Sequence, residues 1–487
     1  MLWRYARSGL WLYALVLVGS MPAPSWAQAE RYELGRRLRQ FELAFEQERD
    51  PAVRARAYPP MNQAVLSFFA LKLGEAGRSM DQARYALQAE PPGPTQRWAD
   101  SLYLVLEPRL LDAEKSQSAF QLKAFYPTDE SLPSGAMLRF ELIFPDGSRR
   151  PLGEPWSIKE VPLKGTLEFT KVPEGDVQLR YTVATEETRT GQVSGTIGLS
   201  FVKNLEPRLT ALVTAVDGLP SAAASVEQAS LRTNVQLLKT LGKAQSPETD
   251  YPAVQLLKEA EEVLAAERRR EPFYGRGKSG QFWLTLLTGR TRTVVRLMAP
   301  EAVKAGKPLP VVLALHGAGG SENMFFDTYG HGKIVELCRR RGWLLVAPRN
   351  GGFGAAPLSE VLEEVAKLYP IDNQRVYVVG HSMGAAQALM NARQTPERFQ
   401  AVAALGGGRA VGVTEPMKKL AFFVGIGTKD FAYRGAKALG DALAQAQVRQ
   451  FSYREYPEVE HLIIVQIALE DVFAFFEAAS RQGDGGS

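Results

Sequence analysis

One short stretch of the chain, residues 375–386, constrains the fold more than any other. Residues 376–379 form an uninterrupted run of Val, Tyr, Val and Val, which predicts a strand buried on both faces of a sheet. Residues 380–384 read Gly-His-Ser-Met-Gly, and the small residues after them predict a helix. A strand that turns at once into a helix brings backbone segments so close that glycine is needed where a Cβ would collide. The stretch therefore predicts a buried strand with Ser382 held at its end.

The sequence around this stretch alternates strands and helices from about residue 275 to residue 480. It opens with two strands, at 281–287 and 293–298, which the intervening Thr-Gly pair predicts to be a hairpin. Single strands and helices then follow one another. An antiparallel start followed by this alternation predicts a mixed, mostly parallel sheet with helices on both faces. We therefore expect a C-terminal α/β domain at 273–487.

The rest of the chain is predicted to form further domains, because 487 residues exceed what one ordinary core holds. Helical periodicity predicts a helical domain at 28–116, with its last helix from about Trp98 to Leu111. Short runs of alternating apolar and polar residues predict a small β-sandwich-like domain at 117–204. Helical periodicity returns at 205–272, where we expect a helical segment.

The N-terminus has the pattern of a targeting segment. Two arginines precede an apolar run at 10–18, and small residues at 25–27 or 27–29 offer a cleavage site. This pattern predicts a signal peptide at 1–27 and a secreted or periplasmic mature protein. The apolar run is far shorter than the ~20 residues that a membrane span needs, so no stable membrane anchor is predicted.

Charge and cysteine content exclude some classes of function. The formal net charge is +5, and it falls to about +3 once the two arginines of the predicted signal peptide are removed. Acidic and basic residues are mixed along the chain, so no nucleic-acid partner is predicted. Cys338 is the only cysteine, which excludes an internal disulfide. Its helical spacing with Ile334 and Leu337 predicts a buried, unreactive thiol.

Ser382 is accompanied by the residue types that a nucleophilic serine requires. The order strand, Gly-x-Ser-x-Gly, helix is the context of a nucleophile elbow. A serine hydroxyl needs a base to activate it, and the base needs an orienting carboxylate. His461 follows the last predicted strand, and Asp430 follows the strand before it. We therefore predict a catalytic triad of Ser382, Asp430 and His461 at the carboxyl edge of the sheet.

A second requirement of this chemistry is a pair of donors for the oxyanion of the tetrahedral intermediate. The backbone N–H of Met383, directly after the nucleophile, is the first predicted donor. The loop after the strand at 311–315 reads His-Gly-Ala-Gly-Gly at 316–320. Its small residues let a substrate carbonyl approach the backbone. Ala318 is the predicted second donor, with Gly317 as the next choice.

The remaining acids and histidines near the site have structural interpretations. Glu458 and Glu460 lie too near His461 in sequence to orient it, so we expect them to shape its loop. His316 is expected to brace the oxyanion loop, and His381 to pack beneath it. No cluster of His, Cys and acidic residues has the spacing of metal ligands, so neither a metal nor another cofactor is predicted.

These motifs resemble those of secreted α/β-hydrolase serine esterases, above all polyhydroxybutyrate depolymerases and feruloyl esterases. The motifs resemble those of dienelactone hydrolases and prolyl oligopeptidases more distantly. Dienelactone hydrolases have Cys at the position of Ser382. The resemblance implies an α/β-hydrolase fold and ester hydrolysis through an acyl-enzyme. It does not cover residues 28–270. It is carried by residues 316–320, Ile371-Asp372, Arg375-Val376-Tyr377, residues 380–384, Asp430 and His461.

The sequence indicates the type of reaction more closely than it indicates the substrate. Only residues 406–419 separate the strand after the elbow helix from the strand that leads to Asp430. This connection is too short for a helical cap, which predicts an open site suited to bulky or polymeric esters. Two alternatives stay open. The same triad serves serine peptidases of the prolyl oligopeptidase type, and a hydrolase-like domain can also hold a partner without catalysis.

Overall fold

The computed structural model describes residues 25–185, 193–220, 222–243, 249–275, 277–289, 291–350, 356–409 and 412–481. These residues divide into two compact units, one ending at Phe273 and the other beginning at Tyr274. Residues 1–24 of the predicted signal peptide lie outside the described residues. No helix within the described ranges has the length and apolarity needed to cross a bilayer.

The N-terminal unit is helical at both ends, as the sequence predicts. Asp50 caps α2, since its carboxylate accepts from Ala52 N–H at 2.8 Å. Ser225 caps α6 in the same way, by accepting from Gln228 N–H at 3.1 Å. The helices are α1 (Ser25–Gln47), α2 (Pro51–Phe69), α3 (Leu73–Ala86), α4 (Pro94–Asp100), α5 (Leu205–Asp217), α6 (Val226–Leu241) and α7 (Ala253–Arg269).

Two β-sheets lie between these helical segments and share one apolar core. One sheet has the order β1-β3-β6 and the other β2-β8-β7-β4-β5. Phe120 and Phe169 from the first sheet meet Phe140, Leu179 and Phe201 from the second in this core. This strand-rich region confirms the predicted fold class. The strands are β1 (Leu102–Glu107), β2 (Leu110–Asp112), β3 (Lys115–Ala124), β4 (Met137–Ile143), β5 (Arg149–Ser157), β6 (Leu163–Thr170), β7 (Gly175–Ala184) and β8 (Val193–Val202).

The predicted helix from Trp98 to Leu111 is wrong. Helix α4 ends at Asp100, and the next residues form β1 and β2. The sequence Leu-Tyr-Leu-Val-Leu at 102–106 is apolar at nearly every position, so its spacing fits a buried strand as well as a helix. Pairing with β3 decides between the two. The predicted boundary at residue 116 accordingly falls inside β3, and the other domain boundaries stay predictions.

The C-terminal unit contains an eight-stranded sheet in the order β16-β15-β14-β13-β11-β12-β10-β9. β9 and β10 form the predicted antiparallel hairpin, β10 is antiparallel to β12, and the other pairs are parallel. The predicted mixed, mostly parallel sheet is therefore confirmed. The strands are β9 (Gly280–Leu286), β10 (Thr293–Ala299), β11 (Leu309–Leu315), β12 (Leu344–Pro348), β13 (Ile371–His381), β14 (Ala401–Leu405), β15 (Ala421–Gly427) and β16 (Gln450–Tyr456).

Helices alternate with these strands along the chain. All residues of β11, β14 and β15 are buried, which explains their continuous apolar sequences. Each parallel strand ends at the same edge of the sheet, so the loops that follow β11, β13, β15 and β16 meet there. The helices are α8 (Lys333–Arg341), α9 (Leu358–Leu368), α10 (Met383–Gln394), α11 (Tyr433–Gln445) and α12 (Ile463–Arg481).

The shared core of the two N-terminal sheets predicts how substitutions act there. Leu179 lies in this core with no exposed surface, whereas Leu132 is 38% exposed. We expect Leu179→Ala to lower the free energy of unfolding by about 2–5 kcal/mol, because it removes buried methyl groups and leaves a cavity. Leu132→Ala is the control, with an expected change within about 0.5 kcal/mol. Urea denaturation measures both, and equal effects would contradict the two-sheet core.

Candidate active site

The elbow around Ser382 is a very close backbone crossing. β13 ends at His381, α10 begins at Met383, and Ser382 between them has φ 56° and ψ −115°. A Cβ on Gly380 would lie 2.2 Å from the carbonyl oxygen of Gly384, and one on Gly384 would lie 2.0 Å from the carbonyl oxygen of Leu315. Such distances exclude any side chain at either glycine. The two glycines therefore permit the turn, and the turn places Ser382 in a strained conformation at the end of the strand.

The structure brings the three predicted triad residues into one hydrogen-bonded chain. Ser382 Oγ lies 2.9 Å from His461 Nε2. His461 Nδ1 lies 3.1 Å and 3.0 Å from the two carboxylate oxygens of Asp430. Because the carboxylate accepts, Nδ1 carries the proton and Nε2 is left to accept from the serine hydroxyl. His461 is 2% and Asp430 5% exposed, whereas Ser382 is half-buried and reachable from solvent.

Backbone contacts hold the loops of Asp430 and His461 together. A Cβ on Gly427 would lie 2.1 Å from the carbonyl oxygen of Val459, so this glycine lets the two loops touch. Lys429 N–H donates to the same carbonyl at 3.0 Å. Asp430 Oδ1 also accepts from Ala432 N–H at 2.8 Å, which fixes the carboxylate toward His461.

Glu460 has a different set of partners. Its two carboxylate oxygens accept from Leu462 N–H at 2.8 Å and Ile463 N–H at 2.7 Å, at the start of α12. Complete burial raises its pKa to about 7, against the opposing effect of these two donors. Glu458 is exposed and forms an ion pair with Lys429 at 3.4 Å. Both acids thus contact the loop around His461 in the way the sequence predicts.

Two of the predicted oxyanion donors, Met383 and Gly317, lie next to Ser382. Met383 is the first residue of α10, where N–H groups have no intrahelical acceptor. Gly317 N–H donates to the Tyr329 hydroxyl at 3.4 Å. A Cβ on Gly317 would lie 3.3 Å from Ser382 Cβ, so the loop passes directly beside the serine. Gly317 N–H already has an acceptor in this arrangement, and Ala318 as the second donor stays a prediction.

His316 braces the loop that carries Ala318. Its Nδ1–H donates to Gly317 O at 2.7 Å, and its Nε2 accepts from Asn350 N–H at 3.2 Å. Asn350 Nδ2 donates in turn to the carbonyl oxygen of His316 at 3.2 Å. Burial lowers the pKa of His316 to about 4, so the ring stays neutral and keeps this pattern of bonds. The loop therefore has a fixed shape before a substrate enters.

Two residues at the site were missed by reasoning from the sequence. Tyr329 is buried and its hydroxyl lies 2.7 Å from His381 Nδ1. Phe431 is 54% exposed, and the centre of its ring lies 4.4 Å from that of His461. The position of Phe431 directly after Asp430 is the signal that would have found it. No local pattern marks Tyr329, because it lies 52 residues from its partner.

The connection between β14 and β15 contains one short helical turn, Pro416–Lys419, within its described residues 406–409 and 412–420. In the described ranges, no group of three or more His, Cys, Asp and Glu residues could hold a metal ion.

Residues 310–454 match a family model described as alpha/beta hydrolase fold. The match confirms the resemblance to α/β hydrolases that the motifs carry, and the C-terminal unit has the α/β-hydrolase fold. No curated protein has a sequence that matches this chain.

Several solved structures are similar to part of the chain. The feruloyl esterase module from Clostridium thermocellum is 14% identical, with a TM-score of 0.36 over 42% of this chain and 90% of the module. An S-formylglutathione hydrolase from Agrobacterium tumefaciens is 18% identical, with a TM-score of 0.33 over 43% of this chain and 97% of its own. A thermostable esterase is 15% identical, with a TM-score of 0.36 over 77% of this chain and 99% of its own.

The backbone crossing at the elbow predicts a strong effect of Gly384→Ala. The added Cβ meets a main-chain carbonyl that no side-chain rotation can move. We expect the free energy of unfolding to fall by about 3 kcal/mol. Gly412→Ala is the control, because the nearest atom to its Cβ would be Arg393 Nη1 at 4.0 Å. Chemical denaturation measures both, and a stable Gly384→Ala protein would contradict this geometry.

The raised pKa of Glu460 predicts a pH-dependent stability. Below pH 4.5 the carboxyl is protonated in both the folded and the unfolded protein. Between pH 4.5 and 7 the unfolded state loses this proton first, so the free energy of unfolding falls as pH rises, by on the order of 3 kcal/mol. Glu460→Gln should remove this contribution. Its unfolding free energy relative to wild type then rises across that window. A constant difference for Glu460→Gln would refute the raised pKa.

Proposed function

We propose that the C-terminal unit is a serine esterase that works through an acyl-enzyme. The observation that carries this proposal is the hydrogen-bonded chain from Ser382 through His461 to Asp430, with the serine on a strained elbow at the solvent-accessible edge of the sheet. A network with only a structural role would not require a serine hydroxyl that solvent can reach. Three side chains in this order and at these distances match the requirements of acyl transfer.

Each triad residue has one role in the proposed reaction. His461 Nε2 takes the hydroxyl proton as Ser382 Oγ attacks the ester carbonyl. Asp430 keeps the imidazole in the tautomer with a proton on Nδ1 and stabilises its charged form. The protonated His461 then gives the proton to the leaving alcohol, and an acyl group stays on Ser382. A water activated by the same histidine hydrolyses the acyl-enzyme and regenerates the serine.

The oxyanion of each tetrahedral intermediate is proposed to bind Met383 N–H and Ala318 N–H. Gly317 is the second choice, because its N–H donates to Tyr329. Donors fixed before the reaction stabilise the developing charge without reorganisation, and losing one such donor typically costs 10²–10³-fold in rate. The rigid bonds of His316 to Gly317 and Asn350 support this role of the loop.

The proposed substrates are carboxylic esters with an apolar group, including bulky or polymeric ones. The short connection between β14 and β15 supports an open site, and the exposed ring of Phe431 next to His461 offers an apolar surface. Secretion or export to the periplasm belongs to the same proposal, and it is supported by the signal-peptide pattern of residues 1–27.

Purified protein tests the reaction class directly. We expect turnover of short p-nitrophenyl esters, no comparable turnover of peptide p-nitroanilides, and labelling of Ser382 by a fluorophosphonate. Ser382→Ala should abolish labelling and lower kcat by at least ~10³-fold with little change in stability. Preferential cleavage of the amides would indicate a peptidase. Absence of both turnover and labelling would indicate a binding protein instead.

The orienting acid is tested by a matched pair of substitutions. Asp430→Asn is expected to lower kcat for p-nitrophenyl esters by at least ~10²-fold, because an amide does not hold His461 in the required tautomer. Glu458→Gln removes a nearby exposed carboxylate and should leave kcat within about twofold of wild type. Equal losses in the two variants would show that Asp430 does not have this role.

A further inference from the structure

Resting on the proposed function, we propose that Tyr329 and His381 form a positioning pair that holds the main chain of the general base His461. Neither side chain takes part in the proposed transfer of protons. His381 contacts His461, which does take part, and Tyr329 contacts His381. Together they connect the oxyanion loop, the elbow and the loop of His461 through three hydrogen bonds.

The bonds of His381 define its tautomer. Its Nε2 lies 2.8 Å from the main-chain oxygen of His461, and a carbonyl can only accept, so Nε2 carries a proton. Its Nδ1 lies 2.7 Å from the Tyr329 hydroxyl. A neutral imidazole with a proton on Nε2 accepts at Nδ1, so the tyrosine donates. The ring of His381 also contacts that of His461, with centres 4.8 Å apart.

His381 is held in its neutral form. The residue is 1% exposed, and burial drives its pKa well below the usual value for histidine. The nearby rings of His461 and His316 lower the pKa further, whereas the bond to the His461 carbonyl opposes the shift. The hydrogen-bond pattern therefore stays the same when His461 gains and loses a proton during turnover.

Tyr329 extends the connection to the oxyanion loop. Its hydroxyl accepts from Gly317 N–H at 3.4 Å while donating to His381. A Cβ on Gly317 would lie 3.2 Å from His381 Nδ1 and 3.3 Å from the Tyr329 hydroxyl, so all three groups are in close contact. The Tyr329 hydroxyl thus connects the loop that carries Ala318 to the ring of His381, which in turn contacts His461.

A second network fixes the segment that carries Tyr329. Arg296 on β10 donates to the side chains of Asn323 at 3.0 Å and Asp327 at 2.6 Å. Asn323 also accepts from the indole N–H of Trp283 at 3.0 Å. The Tyr329 ring packs edge-on against Phe325, with centres 4.9 Å apart. Tyr329 is therefore anchored to the sheet independently of the loops that it connects.

The pair acts by limiting the motion of His461. The side chain of His461 pivots on a main chain that His381 holds, and its Nε2 must stay within hydrogen-bond reach of Ser382 in each step. Loss of the pair should impair the transfer of protons more than the binding of substrate. This expectation separates positioning from a general effect on the fold.

Tyr329→Phe tests the pair with kinetics on p-nitrophenyl esters. We expect kcat to fall about tenfold, KM to stay within about twofold, and the melting temperature to change by only a few degrees. Tyr377→Phe is the matched control, because this buried tyrosine within β13 bonds Ser480 and not His381, so its loss should keep the wild-type kcat. An unchanged kcat in Tyr329→Phe, or an equal loss in Tyr377→Phe, would overturn the proposal.

His381 offers rescue by a conservative substitution. Gln can donate to the main-chain oxygen of His461, whereas Ala cannot. We expect His381→Ala to lower kcat by at least ~10-fold, and His381→Gln to recover part of that loss at matched protein stability. Equal rates in the two variants would show that the donor to His461 has no such role.

The tautomer itself is measured on the unreacted wild-type protein. The sequence has four histidines, so ¹⁵N-histidine labelling gives a simple NMR spectrum in which His381 is identified by its loss in His381→Gln. We expect a neutral ring protonated on Nε2 throughout pH 6–8. A ring protonated on Nδ1, or a charged ring, would overturn the proposal even if every ester is hydrolysed. Failure of ester turnover and fluorophosphonate labelling would instead refute the proposed function and leave the tautomer result standing.

Discussion

The close backbone crossing of β11, β13 and α10 is the constraint on which the candidate site depends. Gly380 faces the carbonyl of Gly384, and Gly384 faces the carbonyl of Leu315, at distances that exclude a Cβ. Both obstacles are main-chain atoms, so no side-chain rearrangement relieves them. The crossing gives Ser382 its strained φ and ψ, and it also brings the loop after β11 next to the serine. The proposed nucleophile and the proposed oxyanion loop are thus positioned by one backbone crossing.

The candidate site also depends on close contacts between loops from distant parts of the chain. Gly427 lets the Asp430 loop touch the His461 loop, and Val459 O accepts from Lys429 N–H at the contact. Three buried imidazoles, those of His316, His381 and His461, lie at this edge. His316 and His381 are kept neutral by burial, and they bond backbone groups and the Tyr329 hydroxyl, so they support the site without competing with His461 for protons.

Reasoning from the sequence was most accurate where one physical signal dominated. Strands buried on both faces have continuous apolar sequences, so the strand predicted at 311–315 agrees closely with β11 as observed. The same signal failed at residues 102–106, where an apolar run became a strand because β3 pairs with it. A local pattern gives the burial of such a run and not its hydrogen-bonding partner. Which strands pair in a sheet depends on residues that are far apart in the chain.

The sequence by itself determined Ser382, Asp430 and His461 as the candidate triad, because nucleophilic catalysis requires these residue types after particular strands of such a sheet. Only the tertiary structure decided what surrounds them. It paired Tyr329 with His381 across 52 residues and occupied the N–H of Gly317. The physical reason is that both of these bonds depend on the packing of loops from separate strands, which leaves no periodic or local signal in the sequence.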